Sequence, residues 1–142
     1  MKNDTVSVAE DTRTSLSTAA LKRAVLDHLN YSLGRLPVAA APERSYYKAL
    51  ALTVRDRLQH LWIHTVQTYF AEARSDKVAC YFSAEFLMGP QLGANLIDLN
   101  IFNEMKQAVA ELGFDLNEVI AQEEEPGLGN GGLGRLASCY MD

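Results

Sequence analysis

The chain has 142 residues, 48% of them hydrophobic, and its 13 Lys+Arg against 18 Asp+Glu leave a net charge of −5. That length suits one ordinary domain, and the acidic balance speaks against nucleic acid or anionic lipid as main partner, since both need clustered Lys/Arg to displace counterions. No apolar run approaches the ~20 residues of a membrane helix, and polar residues 1–15 lack a signal-peptide core, so the expectation is a cytoplasmic protein without membrane or nucleic-acid partners.

Residues 1–15 are rich in Ser, Thr, Asp and Glu and read as a flexible tail, because they cannot bury enough apolar surface to offset ordering. Residues 16–142 carry the periodic signals. Leu21, Val25 and Leu29, with Ala24 and His28, form a helical stripe within 16–33. Gly34 suits the position after a helix end, and Pro37 a stop. The strongest helix spans 42–73, with Pro42 at its first position and apolar residues from Tyr47 to Phe70 wide enough to predict cover on two sides. About 30 residues make a rod of roughly 45 Å, long for one small domain, which suggests contact with further material.

After a turn signal at 74–77, Val78-Ala79-Cys80-Tyr81-Phe82-Ser83 is short, continuously apolar and rich in β-formers. It predicts a strand buried on both faces of a parallel sheet. Short helices are expected at 91–97 and 102–112, the latter ending at Gly113. Asp115-Leu116-Asn117-Glu118 resembles a capping box opening a further helix. The fold class is therefore α/β, mainly helical with one clear parallel-sheet strand. Cys80 and Cys139 sit in apolar settings without metal-ligand spacing and read as buried free thiols.

Five glycines fall within 127–134, followed by Leu133, Leu136, Ala137 and Tyr140 at helical spacing. Each glycine costs roughly 0.5–1 kcal/mol against alanine, so the cluster needs a conformational reason. A glycine loop feeding a helix start can hold phosphate on exposed amides; a purely structural turn is the alternative. Gly127, Gly129 and Gly132 trace a dinucleotide pattern, but Glu124-Glu125-Pro126 precedes them instead of a strand, and Leu133 stands where a P-loop needs Lys. Glu85, at the exit of the expected strand, is either a ligand-facing carboxylate or a cap of nearby amides. His28, His60 and His64 lack partners at metal spacing, so no metal site is expected.

Glu125-Pro126-Gly127-Leu128-Gly129-Asn130-Gly131-Gly132-Leu133-Gly134-Arg135-Leu136-Ala137 resembles the signature loop of the glycogen/starch (α-1,4-glucan) phosphorylases. Tyr81 to Gly89 resembles that family's first strand and its exit, and Tyr46 to Leu58 its long second helix. The resemblance runs collinearly from about Leu21 to Asp142. It implies a GT-B enzyme of two Rossmann-like lobes, of which this chain is the N-terminal portion, incomplete at its C-terminus. It implies pyridoxal 5'-phosphate as cofactor, α-1,4-glucan and inorganic phosphate as substrates, glucose 1-phosphate as product, and a homodimer.

By the same resemblance Glu85, Asn130, Gly131, Gly132 and Leu133 face substrate and phosphate, and Gly131 and Gly132 also the cofactor. No catalytic residue is expected in this segment, since the cofactor lysine lies beyond residue 142, and the chain alone is expected to be inactive. The acidic run Glu123 to Glu125 leads into the loop and could position it. Val66, Gln67 and Phe70 stand where animal members bind a nucleotide effector through two Gln and a Tyr, and Pro90 stands where many members have Arg. Two other readings stay open: a non-catalytic helical module for dimerisation or glucan binding, and a nucleotide-binding domain.

Overall fold

A computed structural model describes residues 13–35, 42–70, 77, 79–129 and 131–141. The expected turn at 74–76, most of the tail, Pro37 and Asn130 lie outside the described residues.

Helix α1 (Thr18–Asp27) is capped by the Ser17 hydroxyl, which accepts the Ala20 amide. It runs on into a π-helical turn, His28–Ser32. Its stripe is as expected: Leu21, Ala24, Val25, His28 and Leu29 are all buried. Gly34 follows at φ +61°, a left-handed position that glycine takes without the Cβ penalty.

Helix α2 (Glu43–Tyr69) is the long rod, about 40 Å at 1.5 Å per residue. It begins one residue after Pro42. Its cover differs from expectation. Tyr46, Ala49, Leu50, Thr53, Val54 and Arg57 are buried, and no residue of the helix beyond Arg57 is. Beyond it Leu61, Trp62, Ile63, Tyr69 and Phe70 are exposed.

Helices α3 (Leu92–Asp98), α4 (Phe102–Ala110) and α5 (Leu116–Ile120) complete the helical body. Helix α1 packs on α2 and α4, and α2 packs on α3 and α5. Their shared core includes Leu50, Val54, Leu96, Ile101, Met105 and Leu116. The connections close as caps require. After α4 the Phe114 amide reaches Val109 O and the Gly113 amide reaches Ala110 O, with Gly113 at φ +89°. Asn100 repeats this after α3 at φ +54°. Asp115 caps α5 as its sequence predicts, accepting the amides of Asn117 and Glu118 at 2.8 and 3.3 Å.

The strand expectation is corrected. Residues 79–83 carry no strand, and Tyr81 and Phe82 are exposed. Instead β1 (Phe86–Leu87) pairs antiparallel with β2 (Gly127–Leu128), Phe86 opposite Leu128 and Leu87 opposite Gly127. A strand needs a neighbour for every N–H and C=O. No described segment forms a ladder with 79–83, so its β-propensity goes unused. The only pairing among the described residues is the short hairpin-like contact of distant segments. Helix α6 (Gly132–Met141) packs on β1.

Candidate functional site

The site is built where β1, β2 and the start of α6 meet. Ser83 holds the approach to β1: its hydroxyl donates to Glu85 O at 2.7 Å and accepts the Glu85 amide at 3.1 Å. Glu85, half-buried, then lays its side chain on the glycine turn. A Cβ on Gly129 would stand 2.6 Å from Glu85 Cγ, and one on Gly131 would stand 3.8 Å from Glu85 Oε2. Gly129 also has φ +64°. Only glycine meets both demands, the left-handed backbone and the close approach.

Of the residues expected to bind, Glu85, Gly131, Gly132 and Leu133 are gathered within this turn. The Gly131 amide points back to Gly129 O. Gly131 O accepts from Arg135 N at 3.3 Å, which starts α6. The amides of Gly132 and Leu133 lie in the first helical turn and have no partner within the helix, so they are the donors available to an anion. Gly132 has open space around its Cβ position, and Leu133 is exposed.

Two side chains fasten the turn. Arg135 Nη1 donates to Leu87 O at 3.3 Å and lies 3.6 Å from a Cβ position on Gly89, itself at φ +76°. Gly134 brings α6 onto β1, with Phe86 backbone atoms 3.2 Å from its Cβ position. Glu123 accepts the Gln91 amide at 2.9 Å and the Leu92 amide at 3.0 Å. Sequence spacing did not assign Glu123 this partner, which lies 31 residues upstream.

Beside the run-in, Arg44 pairs with Glu124 at 2.7 Å on the surface. Tyr47 lines the same groove as Glu124, Glu125 and Gly127. Burial holds the Tyr47 hydroxyl above its ordinary value of 10.0; Glu123 and Glu124 push it further and Arg44 opposes them.

Other expectations fare differently. Both cysteines are exposed, not buried. Cys80 lies on the strandless segment, and Cys139 faces away from the side of α6 that buries Gly134, Ala137 and Ser138. His60 and His64 make an edge-to-face ring contact at 4.8 Å, and no group of three metal-ligating side chains occurs among the described residues. His28 does have a carboxylate partner: its Nε2 lies 3.1 Å from Asp56 Oδ2 and its Nδ1 2.9 Å from Ser32 Oγ. Asp56 also accepts from Arg13, and buried Arg57 donates to Ser15 O at 2.7 Å, so residues 13–15 are tied to α2. No helix of the described residues is long and apolar enough to cross a membrane.

Comparison with known proteins bears on this geometry. A family model described as carbohydrate phosphorylase matches residues 109–142. A glycogen phosphorylase from Synechocystis sp. is 54% identical over 133 residues, 94% of this chain and 15% of the relative. One from Chlamydia pneumoniae is 39% identical over 131 residues, 92% of this chain and 15% of the relative. The liver form from Homo sapiens is 43% identical over 126 residues, 89% of this chain and 14% of the relative. The chain thus spans about 15% of the length of these relatives. Over most of its length the chain is thus similar to one part of these glycogen phosphorylases.

Proposed function

We propose that the chain supplies the N-terminal part of the glucosyl and phosphate site of a GT-B α-1,4-glucan phosphorylase. The whole protein would transfer a glucosyl unit from α-1,4-glucan to inorganic phosphate and release glucose 1-phosphate. The observation that carries this reading is the seat of Glu85 on the glycine turn that opens α6. It sets a carboxylate beside helix-start amides that favour an anion.

In this reading the Gly132 and Leu133 amides donate to phosphate oxygens, and Gly131 borders the ligand. Gly131 must first release its own contact to Gly129 O. Glu85 orients the glucosyl hydroxyls. The residues present fit the anionic end of pyridoxal 5'-phosphate, because the turn has amides, an open Cβ space at Gly132 and no bulky side chain there. When bound, that cofactor would supply a phosphate able to exchange a proton with the substrate phosphate. Gly131 and Gly132 are the residues of this chain that would border it. The uncovered half of α2, with Leu61, Trp62 and Phe70 exposed, supports a homodimer contact in the whole protein. A cytoplasmic location completes the reading.

The test is phosphorolysis of maltoheptaose by the full-length protein loaded with pyridoxal 5'-phosphate. Glu85→Ala is expected to lower kcat/KM by about a hundredfold, the scale of a lost polar contact at a reacting centre. The 142-residue chain alone is expected to form no glucose 1-phosphate. Full activity in the Glu85 variant, or phosphorolysis by the isolated chain, would overturn the reading.

A further inference from the structure

The carboxylate of Glu123, three residues past the end of α5, caps a different helix. It accepts two backbone amides at the start of α3, from Gln91 and Leu92. Three residues, 88–90, separate Gln91 from the last residue of β1, Leu87. Three residues, 124–126, separate Glu123 from the first residue of β2, Gly127. The Leu87–Gly127 pairing closes the far side. Glu123 therefore shuts a small ring at the base of the β1–β2 ladder. One limb of that ring descends from Glu85, and the other leads into the glycine turn. Gly89 sits inside it, with Arg135 Nη1 3.6 Å and Glu125 Oε1 3.9 Å from its Cβ position. Arg135 reaches in from α6 to Leu87 O. The Gln91 side chain donates to Met88 O at 2.9 Å and tightens the first limb.

Such a ring converts a helix cap into a positional constraint. A two-residue ladder has too few hydrogen bonds to hold its own register. With the base pinned to the helical body, both strands leave it at fixed points. We propose that Glu123 is the positioning residue of the glycine turn: it sets where Glu85 meets Gly129 by holding β1 and β2 to the start of α3. This rests on the anion-site reading above only for its functional consequence; the positional claim stands on the hydrogen bonds.

The experiment is backbone amide exchange on the 142-residue chain, with Glu123→Ala, Glu123→Asp and Glu123→Gln. In Glu123→Ala, exchange is expected to quicken about fivefold or more at Leu87, Leu128, Gly131 and Arg135 as well as at Gln91 and Leu92, while the amides of α1 and α4 keep their rates. Glu123→Asp, one methylene short, is expected to behave likewise and serves if the alanine variant fails to fold. Glu123→Gln keeps one acceptor and is expected to restore most of the protection. Faster exchange confined to Gln91, Leu92 and the rest of α3 would show an ordinary cap and overturn the proposal.

A second arm titrates inorganic phosphate and follows the Gly132 and Leu133 amide shifts. If the unaltered chain responds, Glu123→Ala is expected to raise the apparent Kd severalfold, with rescue by Glu123→Gln; equal affinities would also overturn the proposal. If the unaltered chain shows no response, the exchange arm alone decides the role of Glu123, and the anion-site reading is decided by the full-length protein with its Glu85 variant.

Discussion

Glu85 and Gly129 are complementary in shape: the Cγ of Glu85 lies 2.6 Å from the place a Cβ on Gly129 would occupy. The glycine is there because a carboxylate side chain fills the space its own side chain would need. This contact brings residues 44 positions apart into one site, and its consequences can be measured.

Gly129→Ala combines a left-handed backbone with a collision. The first alone costs about 1–2 kcal/mol for a residue with a Cβ, and the second forces Glu85 away. Loss of stability in urea unfolding, with shifts at the Phe86 amide, is the expected result. Gly132→Ala is the contrast, since nothing lies within 4 Å of its Cβ position. In a helix first turn alanine is favoured over glycine by up to about 1 kcal/mol, so stability should hold or rise. Lost phosphorolysis in that variant of the full-length protein would then report the ligand, not the fold.

Gly134→Ala should loosen α6 from β1. Its Cβ would press on three backbone atoms of Phe86 at 3.2, 3.2 and 3.3 Å, and backbone cannot rotate aside. Overpacking of this kind costs about 1–3 kcal/mol. The expected readout is faster amide exchange at Phe86 and Leu128 with the α1 and α4 amides unchanged.

Asp56→Asn should weaken the union of α1, α2 and residues 13–15. The Asp56 side chain is only 8% exposed and takes His28 at 3.1 Å and Arg13 at 3.2 Å. Hydrogen bonds to a charged group contribute about 1.5–3 kcal/mol each when buried, and the His28 bond is the sheltered one. A loss in that range in urea unfolding is expected. Lys22→Ala is the control. Its pair with Glu111 is largely solvated, although Lys22 does hold the Glu111 carboxyl below its usual value. No measurable change in Tm is expected there.

Tyr46 adds to the loss of stability at alkaline pH. Burial holds its hydroxyl above the ordinary 10.0, and its ring packs on Phe114 with centroids 4.2 Å apart. Below pH 10 both folded and unfolded Tyr46 are protonated, so its contribution is intact. Above pH 10 the unfolded chain loses the proton first, and stability falls as pH rises toward the folded value. Tyr46→Phe keeps the ring and removes the proton. Its urea midpoint should therefore decline less steeply than that of the unaltered chain between pH 9 and 11.

Much of the helical body is legible in the linear order of residues. The Leu21, Val25, Leu29 stripe, the Asp115 cap and the glycines at 34 and 113 all act within about a turn of their own position. Such signals depend on neighbours that the sequence itself supplies. The glycine cluster is legible for the same reason, as a turn that opens a helix. The apolar run 78–83 misleads because β-propensity expresses fitness for a ladder, and a ladder needs a partner strand that no described segment provides. The long rod misleads in the same way: its pattern predicts cover on two sides, and its fully buried positions end at Arg57.

Local spacing, then, determined by itself where the helices start and that a glycine turn leads into the last of them. The folded structure alone decided what meets across long separations: Glu85 with Gly129, Glu123 with Gln91 and Leu92, and His28 with Asp56. The physical reason is that caps and helical faces are satisfied within a few residues. A carboxylate, by contrast, accepts from whichever amide or imidazole the packed helices bring within about 3 Å, and sequence distance carries no record of that encounter.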